Sequence, residues 1–207
     1  DLATTMRKAF KIAAEGRPGP VLVDITKDVT GNEAEYTPVE PEKIQPITSS
    51  IRDEDIDEVV KLITKAKKPY IYVGGGAIAA GASEELDKFV HLVNAPITDS
   101  IMAKGVFDET DPLYTGMIGM HGTKTTNLCL TKSDLLIVIG ARFSDRATGN
   151  TKTFAKHAKV IHIDVDPAEI NKNIKAYASV IGDANEVLKK INEKLPQQEH
   201  KEWLEEI

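Results

Sequence analysis

Five consecutive apolar residues, Leu135-Leu136-Ile137-Val138-Ile139, run directly into Gly140. A strand with one face in water alternates apolar and polar residues, whereas a strand that is apolar throughout has both faces covered. Covering both faces takes helices on each side of the sheet, and helices placed between strands leave those strands parallel.

Other segments obey the same rule. Pro69 opens the run Tyr70-Ile71-Tyr72-Val73, which ends in Gly74-Gly75-Gly76, and Val160-Ile161-His162-Ile163 ends in Asp164. Pro96-Ile97-Thr98 and Ser179-Val180-Ile181 are shorter strand candidates. Helical spacing lies between them. Ile56, Val59, Val60 and Ile63 share one face, with Asp53, Glu54 and Asp55 before them and Lys65, Lys67 and Lys68 after them, as the helix dipole favours. Further helices are predicted over 81–93, 123–130, 167–173 and 187–195, and residues 100–120 read as irregular loop. The fold expected for 51–195 is therefore α/β and doubly wound, with a mostly parallel sheet and helices on both faces.

Residues 2–15 carry helical spacing through Leu2, Met6, Ala9, Phe10 and Ala13, and Val21–Ile25 is rich in strand formers. One helix and one strand bury no core of their own, so residues 1–30 read as the end of a preceding domain. Pro38, Pro41 and Pro46 among Glu, Thr and Ser make 31–50 a linker, and 196–207 reads as the start of a second one. With neither an initiator methionine nor a signal peptide at Asp1, the chain is expected to be part of a longer intracellular enzyme.

Charge and cysteine usage narrow the function classes. The 26 basic and 32 acidic residues give a net charge of −6 with no Lys/Arg cluster, which disfavours nucleic acid or a membrane surface as partner. A single cysteine, Cys129, forms no internal disulfide and points to a reducing cytoplasm. It reads as a core residue. His91, His157, His162 and His200 show no ligand spacing, so zinc is not expected, and no serine occupies a G-x-S-x-G elbow.

The chemistry concentrates where strands end. Ligands of open parallel sheets bind at the carboxyl ends, where glycines let backbone N–H groups approach phosphate oxygens. Gly74-Gly75-Gly76 has that character without being a G-x-G-x-x-G fingerprint, which disfavours an ordinary dinucleotide dehydrogenase. Gly140-Ala141-Arg142-Phe143-Ser144-Asp145-Arg146 adds two arginines, planar donors for phosphate or carboxylate, with Asp145 placed to orient one of them. Asp164 ends a strand where an acid can meet a ribose hydroxyl, and Asp166, before Pro167, suits a helix N-cap. His121, between Met120 and Gly122, is a general base, a hydrogen-bond donor or a spacer.

Taken in order, these segments resemble a known family. Gly16-Arg17-Pro18-Gly19-Pro20-Val21 with Asp24-Ile25 is similar to the end of the pyrimidine-binding domain of thiamine-diphosphate enzymes. Lys67-Lys68-Pro69 with Tyr72–Gly76, then Gly119–Gly122, Gly140–Arg146 and His162–Ile170 resemble the Rossmann-like central domain of acetolactate synthase catalytic subunits. The resemblance implies an enzyme that decarboxylates pyruvate and condenses the remainder with a second 2-keto acid in branched-chain amino-acid synthesis. It implies FAD, without net redox chemistry, in this domain, and thiamine diphosphate with magnesium in the whole enzyme. It also implies a homo-oligomer with a small regulatory subunit.

By the same resemblance, Gly74, Gly75 and Gly76 approach the flavin nucleotide, and Ser100 and Ile101 lie in its next loop. Met120 and His121 contact FAD near the substrate channel, while Gly140, Ala141 and Arg142 hold its phosphate and ribitol region. Asp164 and Val165 sit at the adenosine end, with Asp183 and Ala184 closing the adenine pocket. Arg146 receives the second keto acid's carboxylate beside Met120. Ser144 stands where the family usually has aspartate, replacing a carboxylate by a hydroxyl that still hydrogen-bonds a ligand. The family's activating glutamate and its magnesium-binding Gly-Asp-Gly…Asn segment have no counterpart here, so these residues alone are expected to form no acetolactate. Another thiamine-diphosphate carboligase and a non-flavin support module are the alternatives.

Overall fold

The structure is a computed structural model that describes residues 1–207. It divides into two compact units, Asp1–Pro46 and Ile47–Ile207.

In the first unit, α1 (Leu2–Ala14) takes the predicted amphipathic helix, and a short α2 (Lys27–Gly31) follows. Val21–Ile25 does not form the expected strand. A strand exists by pairing, and no other segment of residues 1–46 is a strand to pair with. Residues 32–46 contain no regular element.

The second unit starts with α3 (Asp53–Lys65), whose buried Ile56, Val59 and Ile63 form the predicted stripe. It is followed by β1 (Pro69–Val73), α4 (Gly75–Ala79), α5 (Ser83–Val93), β2 (Ile97–Asp99) and β3 (Tyr114–Met117). Then come α6 (Lys124–Lys132), β4 (Leu135–Ile139), α7 (Asp145–Thr148), β5 (Lys159–Asp164) and β6 (Ala178–Ile181). The last two elements are α8 (Ala184–Lys194) and α9 (Lys201–Glu205).

Two expectations fail locally. Residues 100–120 contain β3, a four-residue strand interrupted by Gly116 at φ +103 and only half-buried, so neither composition nor alternation announces it. The helix expected over 167–173 shrinks to a 3-10 turn at Pro167–Glu169, because the chain enters the left-handed region at Asn171 (φ +62). Asp166 caps that turn as expected, its carboxylate accepting from the Ala168 N–H at 2.9 Å.

All six strands are parallel, in the order β3-β2-β1-β4-β5-β6. This is the doubly wound order of dinucleotide-binding sheets. The chain leaves β1 towards β2 and β3, then returns to lay β4 on the other side of β1. Strand alternation sorts the core. Ile71, Val73, Ile137, Ile139, Ile161 and Ile163 face the helices α3, α5 and α8 in one buried cluster. Tyr70, Tyr72, Leu136, Val138 and Val160 face the other way, against Cys129, Leu130, Phe143, Phe154 and Trp203. The apolar run of β4 is thus read correctly as a strand covered on both faces. No helix is long and apolar enough to cross a membrane.

Candidate functional site

Because every strand points the same way, the segments that follow them all emerge at one edge. Each of the six strands contributes predicted residues there: Gly74, Gly75 and Gly76 after β1, Ser100 and Ile101 after β2, and Met120 and His121 after β3. Gly140, Ala141, Arg142, Ser144 and Arg146 follow β4, Asp164 and Val165 end β5, and Asp183 and Ala184 follow β6. The loops after β1 and β4 diverge at the reversal of strand order, the place where open α/β sheets hold ligands.

The floor of that reversal is closed by backbone. The Gly74 N–H donates to Ile139 O at 2.8 Å and the Gly76 N–H to Gly140 O at 3.0 Å. Gly140 takes φ +60, and a Cβ there would lie 2.7 Å from Gly76 Cα. These glycines are therefore required by protein packing, and the N–H groups of Gly74, Gly76 and Gly140 are all used within the protein. Gly75 faces the turn after β2, where its Cβ would meet Met102 O at 3.0 Å.

The rim is different. Arg142 and Arg146 are exposed, and neither guanidinium takes part in a hydrogen bond or ion pair. Asp145 does not orient either side chain; its carboxylate accepts from the Arg146 backbone N–H at 2.9 Å. Ser144 is exposed ahead of α7, and its carbonyl accepts from the Ala147 and Thr148 N–H groups at 2.9 Å. Met120 and Arg146, both assigned to substrate, are brought together: the Met120 N–H donates to Arg146 O at 3.0 Å. Gly119 permits this approach, since a Cβ on it would lie 2.6 Å from that same oxygen. Met120, Ile101 and Met102 are each about two-thirds exposed, at 67%, 68% and 70%. Large apolar side chains left in water beside unpaired cations form a surface suited to a ligand with both apolar and anionic parts.

The acids at the strand ends have local duties as well. Asp183 caps α8, its Oδ1 accepting from the Asn185 N–H at 3.0 Å and the Glu186 N–H at 3.2 Å. Asp164 accepts from the Asp166 N–H at 2.9 Å, and its burial pushes the carboxyl above the usual carboxylate range. Two groups escaped sequence reading. Asp99, buried at the end of β2, is likewise pushed up by burial and accepts from Tyr114 Oη at 3.0 Å, while Lys104 donates to that hydroxyl at 2.6 Å. Its signal was an acid at a strand end, the criterion already applied to Asp164. His162, which shows no ligand spacing in the sequence, is buried in β5, and its role depends on a partner 21 residues away, Ala141 O at 2.9 Å.

Cys129 is buried, and burial pushes its thiol up to about 11. The folded state therefore favours the protonated thiol; the stability this contributes is present below the ordinary value of 9.0 and is lost as pH rises towards 11. At pH 8 a thiol-directed reagent is expected to label the folded chain at least roughly a hundredfold more slowly than the denatured chain. Equal labelling rates would contradict this burial. No three His, Cys, Asp or Glu side chains converge to hold a metal ion.

Comparisons with known proteins agree with the fold. The family model described as "Thiamine pyrophosphate enzyme, central domain" matches residues 56–191. A probable acetolactate synthase large subunit of Methanococcus aeolicus is 48% identical over 195 residues, covering 91% of this chain and 32% of that protein. The acetolactate synthase large subunit of Corynebacterium glutamicum is 48% identical over 198 residues, covering 93% and 31%. That of Haemophilus influenzae is 42% identical over 193 residues, covering 91% and 34%. The chain thus spans about a third of the length of the curated relatives it matches.

Proposed function

The chain belongs to the thiamine pyrophosphate enzyme central-domain family, and from that premise we propose that it is the FAD-binding middle of an acetolactate synthase large subunit. The observation that carries the FAD reading is the carboxyl edge itself. Six loops converge there, with the unpaired guanidinia of Arg142 and Arg146 beside exposed Ile101, Met102 and Met120. Cations suit the diphosphate of FAD, and the apolar side chains suit a flat ring system. Asp164 and Asp183 lie at the far end of the same edge, where the adenosine half would reach. The residues present therefore fit the group. In this reading the flavin undergoes no net redox change and serves as a fixed part of the architecture.

Within the whole enzyme we assign Arg146 to the carboxylate of the second 2-keto acid, with Met120 beside it. The first substrate is pyruvate, and thiamine diphosphate with magnesium supplies the decarboxylating chemistry when bound elsewhere in the enzyme. The relatives' names support this reading. It further assigns residues 1–30 to the end of a pyrimidine-binding domain, 31–50 to a linker and 51–195 to the central domain, whose core Trp203 of α9 also joins. It places the enzyme in the cytoplasm, as a homo-oligomer with a small regulatory subunit.

One observation favours a second reading, a support module that holds no flavin: Gly74, Gly76 and Gly140 are already explained by packing on one another. Titration of the 207-residue chain with FAD separates the two. FAD is expected to raise the melting temperature, and Arg142→Ala to weaken binding by roughly tenfold or more, the loss of one charge-assisted hydrogen bond. A melting temperature that saturating FAD leaves unmoved would sink the flavin reading in favour of the support module.

A further inference from the structure

The segment after β4 is held in a conformation it would not adopt alone. Phe143 sits at φ +51, where a bulky residue is an outlier that persists only when its surroundings fix it. Its ring is buried, with centroids 4.9 Å from His162, 5.8 Å from Phe154 and 6.3 Å from Tyr72. Three successive carbonyls of this segment accept from side chains that come from beyond it. Ala141 O accepts from His162 Nε2 at 2.9 Å, and Asn173 Nδ2 donates to Arg142 O at 3.1 Å and to Phe143 O at 3.2 Å.

A carbonyl only accepts, so His162 Nε2 carries the proton. Nδ1 is then left buried without a partner, on a residue with 0% exposure. A buried unpaired nitrogen destabilises, and an apolar residue in mid-strand would avoid it. What the histidine provides in return is the bond to Ala141 and the ring contact with Phe143. Both act on the loop that carries Arg142.

We infer that His162 and Asn173 are positioning residues for the arginine loop, clamping the Ala141, Arg142 and Phe143 carbonyls so that Arg142 is aimed at an anionic ligand before it arrives. The inference rests on the functional reading above, in which that ligand is the diphosphate of FAD. Neither residue need touch the ligand. Their effect passes through Arg142, by sparing the loop an ordering cost on binding.

The test is a double-mutant cycle read by FAD titration of the 207-residue chain, with melting temperature recorded for each variant. Asn173 is exposed, so Asn173→Ala is expected to fold with an unchanged melting temperature and to bind FAD roughly tenfold more weakly. Amide exchange at Arg142, Phe143 and Ser144 is expected to accelerate. Arg142→Ala combined with Asn173→Ala should bind no more weakly than Arg142→Ala alone, because the clamp has nothing left to aim. His162→Phe is expected to lose affinity likewise, and His162→Gln, which restores an N–H donor, to recover part of it. If the wild-type chain binds FAD and Asn173→Ala binds as tightly, or if the two losses simply add, the inference falls alone. If the wild-type chain binds no FAD, it falls together with the functional reading.

Discussion

Gly74→Ala is expected to lower the unfolding free energy by at least about 3 kcal/mol, although it adds a single methyl group to a residue in an ordinary conformation. Gly74 has φ −111 and ψ 177, extended backbone open to any L residue, so no conformational penalty arises. The cost is collision. A Cβ at this position would strike Gly140 O, and it would lie 2.6 Å from Ala141 Cα and 2.7 Å from Ala141 Cβ. Those atoms are not flexible side-chain ends. They belong to the turn out of β4, which is bonded back to β1 through the Gly74 N–H to Ile139 O and the Gly76 N–H to Gly140 O. Relief requires the two central strands to part. Gly149→Ala is the control with the opposite balance: its φ is +56 but nothing lies within 4 Å of its Cβ. That variant should cost only about 1–3 kcal/mol, the strain of an L residue held at φ +56 and ψ −121. Urea unfolding of both variants measures the difference, and equal midpoints would show that the strand ends are not in contact.

The same glycines show how far the sequence could be read. An absent Cβ is needed equally where backbone approaches a phosphate and where backbone approaches backbone, so the run Gly74-Gly75-Gly76 is compatible with either. Only the strand order, which sets Gly140 against Gly76, separates the two uses. Other elements were legible because their cause is local. The β4 run is apolar since both faces are covered, and the α3 stripe follows the helical period. The placement of candidate residues at strand ends was legible for the same reason: a parallel sheet sends every following loop to one edge. Elements with non-local causes were not visible. β3 exists because it pairs with β2, with Ile97 opposite Tyr114, and its strand formers, Tyr114 and Thr115, run for only two residues before Gly116. Asp145 next to Arg146 suggested an ion pair, but the carboxylate reaches the backbone N–H first. His162 was legible as part of the β5 run, while its bond to Ala141 depends on β5 lying beside β4.

The division between floor and rim has a consequence for binding. A floor made of interlocked backbone is stiff, since its atoms have no rotamers to lose, and the strained Phe143 is packed against the sheet beneath it. The rim consists of long, exposed side chains with no protein partner, Arg142 and Arg146 among them. Ligand affinity at such a site is governed by how much rim freedom is lost on binding, which is why clamping three loop carbonyls matters more than adding contacts. It also separates the expected phenotypes. Changes to the floor should unfold the domain, and changes to the rim should alter affinity while leaving stability intact.

Trp203→Ala is expected to cost about 3–5 kcal/mol, the range for truncating a buried aromatic side chain. Composition made 196–207 look like linker, with four acidic residues and little periodicity after Pro196. Trp203 is nevertheless 2% exposed on α9, within the cluster formed by Tyr70, Leu136 and Leu130, and its Nε1–H donates to Pro69 O at 3.0 Å. That carbonyl lies at the start of β1, so α9 closes the sheet at the edge opposite the candidate site. Lys68 Nζ stands 5.3 Å from the indole centroid and pairs with Glu206, which Lys132 also meets at 3.0 Å. These contributions are separable. Trp203→Phe keeps most of the apolar contact but leaves Pro69 O without its donor, at a cost of about 1–3 kcal/mol. Glu206→Gln removes only partly exposed ion pairs and should cost less than about 1 kcal/mol. Trp203 is also the chain's one tryptophan, so its emission reports α9 alone. In the folded protein that emission should be blue-shifted, and its denaturant transition should coincide with the loss of helical circular dichroism. A solvent-like emission maximum before unfolding, or a transition well ahead of the helical one, would mean that α9 is not part of the cooperative core.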